Sequence, residues 1–154
     1  MIYSKIKYGL SVYGLTSEAN VSKVQILQNK LLKVLLNKTR RFSTNKLHNE
    51  IEILKVKDLI KLEISTFVYN YFKGNLPSPF NGYFCTFNEV HSINTRENTT
   101  RTITPNHHIE IGANTVKVQG SKIWNRLNSK HKSIKTQKTF RKTIKKSLTP
   151  YEST

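Results

Sequence analysis

The sequence predicts a mainly α-helical protein that carries one small β-hairpin. Three observations lead there. Leu, Ile, Val and Phe supply 44 of the 154 residues, about 29%, above the roughly 20% below which a charged chain stays disordered. Apolar residues recur at three- and four-residue intervals in several separate segments, the period of a helix with one greasy face. Alternation about a turn signal occurs near the C-terminal third, in "HHIEIGANTVKVQG", and suits a hairpin.

Residues 2–15 mix tyrosines with alternating apolar residues, and Gly9 and Gly14 punctuate them. They read as the tail of an element that begins elsewhere. Thr16 and Ser17 offer an N-cap, with Glu18 in the first turn where the helix dipole favours an anion. Val24, Leu27, Leu31 and Val34 then form an apolar stripe that Val21 and Leu35 widen, predicting an amphipathic helix that ends near Asn37. The basic link "KTRRF" follows, and Ser43 or Thr44 caps a short helix through Leu47 and Ile51. A third helix is expected from about Asp58 to Lys73, with Leu59, Leu62, Thr66, Tyr69 and Phe72 on one face. Ile60, Ile64, Phe67 and Tyr71 lie on the adjoining face, so this helix is expected to be central and buried on two sides. Gly74 stands where a closing glycine belongs, and Pro77 and Pro79 block resumption.

Residues 74–106, rich in Asn, Thr, Ser and Pro, read as a long irregular segment. Ile109, Ile111, Val116 and Val118 around Gly112-Ala113-Asn114 supply the hairpin. Ser121 is placed to cap a short helix through Trp124 and Leu127, and Thr136 a last one through Leu148. The expected organisation is a helical region over 1–74, a linker over 75–106, and a hairpin with basic helices over 107–154.

Charge is the strongest global feature. Twenty-six Lys and Arg against nine acids give +17, a field that opposes compaction unless a polyanion or salt screens it. Nucleic acid is the first partner to consider, an anionic membrane surface the second, and a merely basic surface the third. No apolar run approaches the 18 residues of a membrane span, and Lys5 and Lys7 interrupt what would be the apolar region of a signal peptide. A lone cysteine, Cys85, excludes an internal disulfide.

Catalytic chemistry is not expected. Asp58 is the only aspartate, whereas two-metal phosphoryl transfer needs several convergent carboxylates. No nucleophile elbow, phosphate loop or dinucleotide fingerprint is present. Cys85, His91, His107 and His108 fit no metal-ligand spacing. Neither cofactor nor metal is expected.

Between Lys117 and Lys146 stand eleven Lys and Arg and no acid. On the last helix Phe140, Ile144 and Leu148 make a narrow apolar stripe, while Lys138, Lys142 and Lys146 repeat four residues apart on another face, with Arg141 and Lys145 between. Like charges at that interval repel by roughly 0.2–0.5 kcal/mol per pair, which a phosphate backbone relieves; a solvated face without a partner stays open as the other reading. Arg40 and Arg41 beside Phe42 suit phosphate, with the ring free either to stack on a base or to close the core behind the turn. Trp124, the only tryptophan, is either a stacking platform or a core anchor against the hairpin valines. The anchor reading leaves its neighbours Lys122 and Arg126 directed at phosphate.

The order of these landmarks resembles the region downstream of the polymerase core in non-LTR (LINE-type) retrotransposon reverse transcriptases. "YSKIKYGLSVYG" looks like that family's aromatic-rich, strand-like motif, and "LQNKLLKVLLN" is similar to its Gln-x-Lys helix running into a basic turn. "LHNEIEILKVKDLIKLEISTFVYNYFKGNLPSPF" resembles its Ile-Leu-x-apolar-x-Asp-Leu helix and Leu-Pro-x-x-Phe exit. "HSINTREN" matches a His-Ser-x-x-Thr-Arg loop, and "VQGSKIWNRL" its Gly-x-x-Ile-Trp-Asn-x-Leu segment before a basic terminal helix. Lys7 and Asn128 depart from the pattern, standing where an aromatic or apolar residue and a proline are common.

The resemblance spans nearly the whole chain. It implies a thumb-like helical part plus C-terminal extension, without the catalytic aspartates of the polymerase, and partners in RNA or an RNA/DNA duplex and in the polymerase core. Lys30, Lys33, Arg40 and Arg41 suit a backbone contact of that kind by charge and position. A helical module that docks on the polymerase core through its third helix is the alternative, and a translated genomic fossil without a role is another. Nuclear residence would follow the parent element.

Overall fold

The computed structural model describes Leu10 and residues 14–90, 101–106 and 110–149. Among these the order of elements is α1 (Glu18–Leu35), α2 (Thr44–Ile51), α3 (Val56–Phe72), a 3-10 turn (Ser78–Phe80), α4 (Phe87–Val90), α5 (Glu110–Ala113), α6 (Val116–Arg126), α7 (Ser129–Lys132) and α8 (Gln137–Leu148). The mainly helical class is as expected. Pairing among the described residues is confined to one antiparallel bridge, Thr86 to Thr102. The chain divides into two compact units, Met1–Leu62 with Ile144–Thr154 and Glu63–Thr143, so the divisions fall inside α3 and α8.

In the first unit α1 begins after Ser17, with Glu18 in its first turn. Glu18 pairs with Lys57, whose hydrogen bond and charge hold the carboxyl below its ordinary range. The side of α1 that faces inward is not the expected stripe. Val21, Gln28 and Leu32 are buried, whereas Leu27, Leu31, Val34 and Leu35 are exposed. Polar chemistry explains the rotation. The Gln28 amide donates to the Leu54 carbonyl at 3.0 Å, and Gln25 Oε1 accepts from the Val56 amide at 2.7 Å. His48 on α2 lies with Nδ1 3.0 Å from the Ile53 carbonyl and Nε2 2.8 Å from Asn29 Oδ1. These side chains satisfy backbone groups of the turn before α3, which buried chain cannot leave unpaired. Leucine could not do so, and the more apolar face of α1 is left outside.

α2 buries Leu47 and ends on Glu52 in the left-handed region at φ 53°. The first half of α3 contributes Leu59, Ile60 and Leu62 to the core of this unit. Gly14 lies against it. A Cβ there would sit 2.7 Å from Ile60 Cγ1 and 2.3 Å from the Leu10 carbonyl oxygen.

In the second unit α3 continues with Ile64, Val68 and Tyr69 buried, and burial of both its apolar faces is as the sequence predicts. Its end is a Schellman closure. Gly74 at φ 68° donates to the Tyr71 carbonyl and Asn75 to that of Asn70. Phe67 meets Phe80 and Tyr83 edge-on, and Tyr71 meets Phe84 in the same way, its hydroxyl donating to the Phe84 carbonyl at 2.8 Å.

The expected hairpin is replaced by helix. Ile109 lies outside the described residues, but Ile111 belongs to α5 and Val116 and Val118 to α6. Thr115 is the N-cap, its Oγ1 accepting from the Val118 amide and donating to the Gly112 carbonyl at 3.0 Å. Ser121, expected as the cap, is buried within α6 and donates to the Lys117 carbonyl. The period-two pattern of the valines lost to a helical one. Val118, Ser121 and Trp124 share the buried face of α6, and three-residue steps of this kind put a large indole into the core where two-residue steps would not.

Part of the segment expected to be irregular is tied down. Asn125 on α6 donates from Nδ2 to the Thr102 carbonyl at 2.7 Å and accepts from the Thr102 amide at 2.9 Å. On its other side Thr102 is bridged to Thr86, flanked by the Ile103 amide donating to the Cys85 carbonyl and the Phe87 amide to that of Arg101.

Candidate nucleic-acid interface

Trp124 is 2% exposed. One face of the indole stacks on Phe72 at 5.0 Å between centroids, and Phe140 lies 6.3 Å away. The partners are these rings rather than hairpin valines. The Lys132 ammonium sits over the indole at 5.6 Å. Base stacking has no open face to use.

α6 and α8 therefore meet through Trp124 and Phe140, and this fixes where their cations point. Lys122 and Arg126 each stand two residues from Trp124, about 200° around the helix. Lys138 and Lys142 stand in the same relation to Phe140. Both pairs project away from the contact. The structure does not gather them on one face.

On α8, Phe140 and Ile144 are fully buried and Leu148 is half-buried. Thr136 Oγ1 accepts from the Thr139 amide, capping the helix as predicted. Lys138, Lys142, Lys145 and Lys146 are exposed, and among the described residues none is paired with a carboxylate. Lys138, Lys142 and Lys146 follow one another at about 6 Å of rise. Arg141 is different: its guanidinium grips Glu63 with both prongs, Nη1 lying 3.1 Å from Oε2. It belongs to the scaffold rather than to the free cations of that helix.

At the end of α1, Lys30, Arg40 and Arg41 are exposed, while the Lys33 ammonium donates to the Arg40 carbonyl at 2.7 Å. Lys33 thus braces the basic turn. Lys38 lies over the Phe42 ring at 5.0 Å and pairs with Glu50 at 3.0 Å, so one face of that ring is already covered. Lys130, within α7, and Lys135, just before α8, are exposed cations that the sequence places in the basic run without singling them out for phosphate. The cations over rings, Lys73 on Tyr69, Lys117 on Tyr83 and Arg101 on Phe87, carry no sequence signature at all.

No group of three or more His, Cys, Asp or Glu that could hold a metal occurs among the described residues; Cys85 is exposed, and His91, His107 and His108 lie outside them. A recess of about 360 Å³ is lined by Asn45, His48, Lys55 and Asp58, but both ring nitrogens of His48 are engaged within the fold. No helix among the described residues is long and apolar enough to cross a membrane. No protein-family model, curated protein or solved structure matches the chain.

Proposed function

We propose that the chain binds RNA or an RNA/DNA duplex through the phosphate backbone, without sequence preference, as a non-catalytic thumb and C-terminal part of a retrotransposon reverse transcriptase. The observation that carries the binding is the run of exposed lysines on α8, a helix whose sequence contains no acid. Such a helix repels itself in isolation and gains a counterion on a polyphosphate. Lys30, Arg40 and Arg41 add cations to the first unit, and Lys122 and Arg126 to the second. The attribution to reverse transcriptases rests on the ordered motifs of the sequence. The polymerase chemistry then resides in the catalytic aspartates of another part of the parent protein.

The test is a salt titration of the full chain on a fluorescent RNA/DNA hybrid. Engagement of about six phosphates gives a slope of log affinity against log salt near −5, and Lys138→Glu/Lys142→Glu/Lys146→Glu makes it shallower by about 3. A flat response, or an unchanged slope in the triple variant, overturns the reading.

A further inference from the structure

We propose that the exposed side of α1 is a docking strip for an acidic amphipathic helix of a partner protein. Leu27, Leu31, Val34 and Leu35 are exposed by 58%, 40%, 75% and 64%. They stand at i, i+4, i+7 and i+8, the spacing by which one helix anchors on another. Exposed Ile26 lies on a different side of the helix. Single exposed leucines need no explanation, but four in one row form a contiguous apolar surface of the kind that marks an interaction site.

The border of the strip names the occupant. Lys23 and Lys30 are exposed and lie about 40° around the helix from Leu27 and Val34 respectively. They form the edge remote from buried Gln28 and Leu32. The only acid on α1, Glu18, is in the first turn and already paired with Lys57. A second copy of the chain brings the same lysines and another +17, so like charges face each other across any pairing of two α1 strips. A helix about 10 Å wide covers the arc from the lysine edge to the core edge, and glutamates on its flank meet Lys23 and Lys30. A lipid surface would be met along the lysine edge only, because the opposite edge of the strip adjoins buried Gln28 and Leu32.

The strip shares Lys30 with the proposed phosphate contacts but none of its apolar residues, so the serine substitutions test it apart from RNA binding. The test titrates the full chain against a fluorescein-labelled 18-residue peptide with leucines at helical spacing and glutamates beside them. A scrambled isomer and a lysine-for-glutamate analogue serve as controls. The acidic amphipathic peptide is expected to bind more tightly than either control. Leu27→Ser/Val34→Ser/Leu35→Ser, which leaves the charge unchanged, should weaken that binding at least tenfold while circular dichroism and RNA affinity stay as they were. Lys23→Glu/Lys30→Glu should shift preference toward the lysine analogue. Equal binding of the scrambled peptide overturns the proposal, as does indifference to the serine substitutions. So does a dimer in analytical ultracentrifugation, or binding to phosphatidylserine vesicles, that the serine variant abolishes.

Discussion

Glu63 on α3 and Arg141 on α8, 78 residues apart in sequence, meet in a two-pronged ion pair whose side chains are 15% and 28% exposed. The pair separates two arginine-lysine neighbours that look alike in sequence. Arg141→Ala leaves a half-buried carboxylate without this partner, a loss of about 1–3 kcal/mol in urea unfolding. It should leave the salt slope of RNA binding unchanged. Lys142→Ala should do the reverse, keeping stability and lowering the slope by about 0.9. Equal slope changes in the two variants would show that Arg141 leaves Glu63 for phosphate.

Trp124→Ala removes an indole that is stacked on Phe72 and close to Phe140, and unfolding should report a loss of about 3–5 kcal/mol. As the only tryptophan, it also reports on itself. Native emission should be blue-shifted and indifferent to saturating RNA. A quench or shift on RNA binding, with stability unaffected by the alanine, would mark the indole as a contact.

Gly120→Ala sets two effects against each other. Alanine gains about 1 kcal/mol in helix propensity. Its methyl, however, would stand 2.9 Å from Val68 Cγ2 and 3.1 Å from Phe84 Cζ, and overpacking of that kind costs about 1–3 kcal/mol. Two buried neighbours leave little room to yield, so Tm should fall. Val68→Ala in the same chain should return part of the loss. A higher Tm for Gly120→Ala would mean that α6 moves away at no cost.

Burial pushes the Tyr69 phenol above its ordinary value near 10. The ring stacks on Phe140 at 4.3 Å, and the hydroxyl donates to the Ile134 carbonyl at 2.9 Å. A raised folded pKa means that the native state holds this proton more tightly than the unfolded chain. The associated stability is fully present below the unfolded pKa and is lost as pH rises through the folded one. In alkaline titration at 295 nm, the difference between wild type and Tyr69→Phe should isolate a tyrosine that ionises late, together with unfolding. Ionisation of this tyrosine while the chain is still folded, at the ordinary value near 10, would contradict the packing.

The helices were legible where local chemistry and burial agree. Ser17 with Glu18, Gly74 before two prolines, and Thr136 before Gln137 mark boundaries that the structure places within a residue or two. The apolar stripe of α8 was legible because polar neighbours leave it no other face. On α1 the same rule picked the wrong side, since the inward position belongs to Gln28, whose amide answers a carbonyl of the turn after α2. Periodicity counts apolar residues and cannot see a backbone group in need of a donor. At Val116 and Val118 two periods competed, and burial of Trp124 decided between them. The lysines of α8 could be found from sequence, but the loss of Arg141 to Glu63 and the divergence of Lys122 and Arg126 from Lys138 and Lys142 depend on pairings far apart in the chain.

The outward leucines of α1 bear on how the protein behaves in bulk. Mutual repulsion at +17 keeps molecules apart in dilute buffer, and a polyanion removes that repulsion while leaving the leucines bare. Mixing near charge equivalence should therefore turn the solution cloudy, and excess of either component should clear it.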